Sequence, residues 1–206
     1  LPESVHRVLY LDGDILVTTD LSELYNFDLK GNATGMVLVN RNDTLKLIFT
    51  HYNSGVILMD IDKWREEKIS KQMLDYMNNN SKRFLKDGDK EPEFKFGDQN
   101  LFNIVLENKI TTIPINWNFQ VNRFTVDKPN FKGIFHYNCI LKPWLFPRLY
   151  TNKRLYTKNY YIYYKYWNES PFRIYKYYYI IKTTIDYYIR FLSNLCYIIK
   201  NLEEQY

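Results

Sequence analysis

Short runs of apolar, mostly branched residues, separated by capped helical stretches, most constrain what this chain can fold into. "RVLYLD" (7–12), "GMVLVN" (35–40) and "SGVILMDI" (54–61) have the length and composition of buried strands. Between and after them lie helix-like segments. Residues 20–29 carry Asp20 as an N-cap with Glu23 three places on. Asp62 opens a helix to about Asn79 in which Ile69, Met73 and Met77 recur at four-residue steps, and Asp98 can cap a helix from Gln99 to about Asn108. Residues 78–97 are polar and loop-like, and residues 110–119 are extended, with Pro114 arguing for a sheet edge. This alternation predicts an α/β layer fold with a mixed, mostly parallel sheet and flanking helices. Ligands in such sheets bind beyond the carboxyl ends of the strands.

Composition bounds the rest. At 206 residues, 46% hydrophobic and 25% charged, the chain can build one core with a small appendage. It contains no run of eighteen apolar residues for a membrane span, and "LPESVHRV" lacks the basic start and apolar run of a signal peptide. The chain also lacks an initiator Met and enters a core strand almost at once, so an upstream segment is expected. Two cysteines, Cys139 and Cys196, form neither a disulfide framework nor a metal-type pair, which fits a reducing, cytoplasmic setting.

The composition changes near Trp144. Residues 145–206 hold 10 Lys+Arg against 4 Asp+Glu and 15 of the 20 tyrosines, whereas residues 1–144 are near neutral. Two parts are expected, a body over 1–144 and a basic, Tyr-rich helical tail over 145–206. Ser170-Pro171 reads as a helix start. From there Ile174, Tyr178, Ile181, Ile185, Tyr188, Leu192, Leu195, Ile199 and Leu202 follow in alternating steps of four and three, with Lys176, Lys182, Arg190 and Lys200 off the stripe. Such an amphipathic helix suits the surface of an anionic membrane, or packing on the body, or pairing in a homodimer. A nucleic-acid role is disfavoured, because the stripe is regular and apolar and no stacking platform appears.

The candidate chemistry lies in the body. Asp12 and Asp14 follow the first strand with only Gly13 between them. Two carboxylates so close repel unless a metal, a basic group or water intervenes. Gly13 would let the backbone turn so that both converge. Such a pair suits Mg²⁺ or Mn²⁺ shared with a phosphate, although an isolated pair of this kind is more often an ordinary solvated turn. His136 reads as a neutral ligand or a satisfied semi-buried histidine, and Lys142 as a phosphate contact or a surface lysine. Asn53 could bond a sugar hydroxyl or serve a turn, while Asp98 and Gln99 open a helix.

The order of these motifs is more informative than any one of them. "YLDGDILVTTDLSELY", "YNSGVILMDIDKWRE", "GDQNLFN" and "HYNCILKPW" together resemble the bacterial family 8 glycosyltransferases. These are retaining sugar-nucleotide transferases that include lipopolysaccharide galactosyl- and glucosyltransferases and, more distantly, glycogenin. The likeness runs from residue 1 to Trp144. It implies a GT-A fold, a Rossmann-like domain that binds a UDP-sugar and Mn²⁺ or Mg²⁺ and moves a hexose to a glycan or glycolipid acceptor such as lipopolysaccharide. By the same resemblance Asp12, Asp14 and His136 are metal ligands, and Asp12 and Lys142 meet the diphosphate. Asn53 lies beside the donor sugar, and Asp98 and Gln99 lie near the anomeric carbon as the catalytic pair. Gln99 is a poor nucleophile, so a covalent route and front-face attack both stay open. Peripheral attachment to the inner face of the bacterial membrane would bring such an enzyme to a lipid-linked acceptor.

Three departures qualify the resemblance. Cys139 stands where the family's "HxxGxxKPW" has Gly, and Asn100 replaces the last acid of "DQD". The strands expected to bind uridine would precede Leu1. These 206 residues alone are therefore expected to turn over poorly, and an inactive remnant or scaffold is the competing reading.

Overall fold

A computed structural model describes residues 1–39, 51–84, 97–121, 128, 130–138, 142–144 and 158–203. Two compact units emerge, Leu1–Gln120 with Phe131–His136, and Val121–Asn130 with Tyr137–Tyr206.

In the first unit the longest strand organises the rest. It is β4 (Tyr52–Asp60), which is buried from Asn53 to Leu58. Burial of each of Val56, Ile57 and Leu58 contributes about 1.5–3 kcal/mol. β4 lies between β1 (Arg7–Leu11) and β3 (Thr34–Leu38), antiparallel to both, and β5 (Ile110–Thr112) adds in parallel beyond β3. A second sheet is formed by β2 (Ile15–Val17), β7 (Ile134–His136) and β6 (Phe119–Gln120). In it β2 runs antiparallel to β7 and β6 runs parallel to it. The sheets are mixed, as expected. Among the described strands, however, three pairings are antiparallel and two parallel, so the parallel majority is not found. Strand–helix alternation suggests crossovers, but here the central strand takes antiparallel neighbours on both sides. The edge position expected from Pro114 holds for the strand before it, β5.

Helices differ from expectation mainly at their ends. α1 is a single turn, Ser22–Tyr25; Asp20 accepts from the Ser22 amide at 2.6 Å in a local turn and is not the N-cap. The helix expected from Asp62 to Asn79 is two, α2 (Ile61–Glu66) and α3 (Ile69–Asn79), and Asp60 caps the first through the Lys63 amide. Lys68 between them adopts a left-handed φ of 53°, which breaks the helix without Gly or Pro. A short α4 (Ser81–Phe84) occupies part of the expected loop, and residues 85–96 lie outside the described set. α5 (Gly97–Val105) starts one residue before Asp98. Two apolar clusters form the core. Leu24, Leu29, Val37, Val56, Leu58, Ile113, Trp117 and Ile134 make one; Ala33, Ile69 and Met73 of α3, Leu101 of α5 and Leu106 just beyond it make the other.

The second unit contains α6 (Lys158–Glu169) and α7 (Tyr175–Glu203). Tyr137 is buried against Tyr160, with ring centres 5.4 Å apart, and Trp144 lies 5.9 Å from Tyr163. Ser170 does not cap α7. Its hydroxyl accepts from the Phe172 amide in the turn between the helices, and α7 starts only at Tyr175, leaving Ile174 outside it. Along the stripe Tyr178, Ile181, Ile185, Tyr188 and Leu192 are each more than half exposed. No helix among the described residues is long and apolar enough to cross a membrane.

Candidate active site

Two sheets meet at Asp12-Gly13-Asp14. Asp12 still belongs to the first, its amide donating to the Gly55 carbonyl of β4 at 2.9 Å. Asp14 leads directly into β2 of the second, where Ile15 is in register with His136. The chain changes sheet across the three residues Asp12-Gly13-Asp14, between the end of β1 at Leu11 and the start of β2 at Ile15, and that change brings the two carboxylates to one place. Gly13 has no left-handed φ, and a Cβ built there would meet nothing within 4 Å. The convergence therefore comes from strand register, and the expected need for glycine's freedom at residue 13 does not hold.

His136 closes the group. Its Nε2 lies 3.1 Å from Asp14 Oδ1 and 3.5 Å from Asp12 Oδ2. One ligand atom from each of the three residues falls within 4.8 Å of the others. The imidazole is 2% exposed, whereas Asp12 and Asp14 keep 34% and 18% of their side-chain surface open. Gly55 makes room for the ring, since a Cβ there would lie 2.6 Å from His136 Nδ1. Tyr10 donates its hydroxyl to Asp12 Oδ1 at 2.7 Å. That bond, followed by burial and the charges of Asp12, Asp98 and Asp14, pushes the phenol up to about 12.

Hydrogen bonds behind the histidine settle its tautomer. Gly55 N donates to Asn53 Oδ1 at 3.0 Å, which orients that amide. Asn118 Nδ2 donates to the same oxygen at 2.7 Å, so Asn118 turns its Oδ1 toward His136 Nδ1, 2.9 Å away. An amide oxygen there can only accept. His136 thus carries a proton on Nδ1, and in the neutral ring the lone pair is the one at Nε2, facing the carboxylates. Two carboxylates and the lone pair of a neutral imidazole converging would repel one another, and a proton on Nε2 or a divalent cation offsets that repulsion. Oxygen and imidazole ligands of this kind fit a hard or borderline divalent ion such as Mn²⁺ or Mg²⁺, and the hydrogen bond from the far ring nitrogen is the usual support of a ligating histidine.

The same bonds continue to the other predicted residues. Asn53, 7% exposed and inside β4 instead of before it, donates Nδ2 to Gln99 Oε1 at 2.8 Å. Gln99 Oε1 also accepts from the Ser54 amide at 3.3 Å, and its Nε2 meets His51 Nε2 at 2.7 Å. Asn103 fixes this end, bonding both polar atoms of the Tyr52 backbone and the Gln99 carbonyl. Asp98 is exposed at the start of α5 and near enough to Tyr10 to raise its pKa. Lys142 belongs to the second unit, where its Nζ donates to the Tyr137 carbonyl at 2.7 Å. Cys139 lies outside the described residues.

Sequence reading missed Tyr10, His51, Gly55 and Asn118. Asn118 is fully buried at the end of a 3-10 turn (Ile115–Asn118), and the only hint was a polar residue in the apolar run "INWNFQ".

Comparison with known proteins adds an independent line. Residues 1–147 match the model of the family described as Glycosyl transferase family 8. Glycosyltransferase GlyB of Streptococcus pneumoniae serotype 4 is 31% identical over 120 residues, which span 58% of this chain and 26% of GlyB. Lipopolysaccharide 1,2-glucosyltransferase of Escherichia coli K12 is 26% identical over 161 residues, 68% of this chain and 45% of that protein. The crystal structure of glycosyltransferase GlyE from Streptococcus pneumoniae TIGR4 aligns with a TM-score of 0.53 at 25% identity, over 68% of this chain and 36% of GlyE. The chain thus spans less than half the length of each of these relatives.

Proposed function

Because the chain belongs to glycosyl transferase family 8, we propose that it serves in moving a hexose from a UDP-sugar to a surface glycan, with retention of anomeric configuration. Its fold is the GT-A type of α/β architecture. The observation that carries the reading is the convergence of Asp12, Asp14 and Nε2 of His136. These three residues would hold Mn²⁺ or Mg²⁺. A divalent ion held there would supply positive charge to offset the negative charge that develops on the diphosphate as UDP leaves.

The remaining roles follow from what each side chain can do. Tyr10 occupies one oxygen of Asp12 and leaves the other directed at the site. Lys142 contributes a point charge for the diphosphate. Three hydrogen bonds engage the Gln99 amide, which supports a positioning role near the anomeric carbon and not attack by Gln99 itself. Asp98, exposed at the helix start, is suited to accept from a donor-sugar hydroxyl. A relative named as a lipopolysaccharide glucosyltransferase supports lipopolysaccharide as the acceptor class.

The exposed stripe of α7 supports a second element, attachment of the tail to the surface of an anionic membrane. Tyr and Ile would enter the interface there while basic side chains meet headgroups.

Thermal melting of the 206-residue chain with Mn²⁺, with UDP and with both tests the site. A ligand at about 100 times its Kd stabilises by roughly 2.7 kcal/mol. The proposal expects a shift that requires both ligands and disappears in Asp14→Asn. No shift under any condition would favour the scaffold reading.

A further inference from the structure

We propose that Asn118 is the positioning residue that joins the metal centre to the donor-sugar end of the site, a proposal that rests on the glycosyl-transfer reading above. Its two amide atoms face opposite ways. Oδ1 accepts from His136 Nδ1 at 2.9 Å, and Nδ2 donates to Asn53 Oδ1 at 2.7 Å. Asn53 passes the contact to Gln99 at 2.8 Å, and Gln99 to His51 at 2.7 Å. The direction of every bond follows from two backbone donors, Gly55 N on Asn53 and Ser54 N on Gln99, neither of which can accept. One rotamer of one buried amide therefore holds the imidazole Nε2 toward Asp12 and Asp14 and also fixes which face Asn53 shows to Gln99.

Only asparagine satisfies both ends. Aspartate at 118 accepts from the imidazole as well as asparagine does, but it has no proton for Asn53 Oδ1. Leucine has the size and neither function. A residue whose role is packing alone would respond to the two substitutions through stability only, whereas a two-ended positioning residue separates them.

Two measurements on the full 206-residue chain read the two ends. One is binding of Mn²⁺ alone, followed by electron paramagnetic resonance. The other is hydrogen-exchange protection of the Asn53 and Gln99 side-chain amides, followed by NMR. In Asn118→Leu, Mn²⁺ affinity should fall about 10- to 100-fold, as on loss of a hydrogen-bond partner behind a metal ligand, and amide protection should be lost. In Asn118→Asp, Mn²⁺ binding should persist while protection of Asn53 is lost. If Asn118→Leu does not fold, Asn118→Asp decides alone. Unchanged amide protection in Asn118→Asp, or parallel loss of both readouts in it, overturns the proposal; so does unchanged Mn²⁺ affinity in a folded Asn118→Leu. Failure of the wild-type chain to bind Mn²⁺ would instead count against the metal-assisted reading. The nitrogen shifts of the His136 ring would then still show whether Asn118 holds the proton on Nδ1: an Nδ1–H tautomer kept in Asn118→Asp and lost in Asn118→Leu supports the proposal, and any other pattern overturns it.

Discussion

Gly55 lies against the imidazole of His136, so close that a methyl group on its Cα would come within 2.6 Å of Nδ1. The contact joins the central strand of one sheet to the last residue of the middle strand of the other. Neither residue can move without disturbing the bond from His136 to Asn118. Gly55→Ala should therefore cost about 1–3 kcal/mol by overpacking and displace Nε2 from the carboxylates. Chemical denaturation and a Mn²⁺ titration check both. Gly13→Ala is the control: nothing lies within 4 Å of the added group, and its stability should stay within about 0.5 kcal/mol of wild type.

Asp14→Asn separates fold from site. In the metal-free protein Asp14 is repelled by Asp12 and attracted to a protonated His136 Nε2 3.1 Å away, so the two effects oppose and Asp14→Asn should change the metal-free melting temperature little. The stabilisation by Mn²⁺ with UDP should disappear, since one charged ligand of three is gone. A large loss of metal-free stability would mean that Asp14 is chiefly structural.

Tyr10 gives a pH dependence of defined sign. Its folded-state pKa is raised from 10.0 to about 12, first by the hydrogen bond to Asp12. A raised pKa contributes stability that is fully present below the unfolded value and is lost as pH rises through the folded one. The stability difference between wild type and Tyr10→Phe in metal-free protein should therefore hold up to about pH 10 and shrink toward pH 12. Denaturation of both proteins across that range measures it, and a difference independent of pH would count against the Tyr10–Asp12 bond.

The tail can be tested apart from catalysis. Ile181 and Ile185 are 60% and 52% exposed on α7. Replacing both by Glu should abolish sedimentation with vesicles containing anionic lipid. Lys182→Glu should weaken it several-fold, since a basic residue near such a surface contributes on the order of 1 kcal/mol. High salt should weaken binding of the wild type as well. A salt-insensitive dimer with no vesicle binding would assign the stripe to self-association instead.

Local pattern alone carried the strand segments, the acidic pair after β1 and the amphipathic tail helix, because side-chain period and cap chemistry act over a few residues. Four motifs in order carried the family. Helix ends were less legible. The break at Lys68 is a backbone excursion by a residue with no propensity for it, and Asp60 took the cap expected of Asp62 because the strand ran only to residue 60. What the sequence by itself determined was which chemical groups are present and roughly which element each rides on. Only the tertiary structure decided that Asp12 and Asp14 link strands of different sheets, that His136 Nε2 approaches both, and that Asn118 reaches both His136 and Asn53. Those relations depend on strand pairing between distant segments, and the energy of such pairing resides in the assembled sheets, not in any stretch of chain read alone.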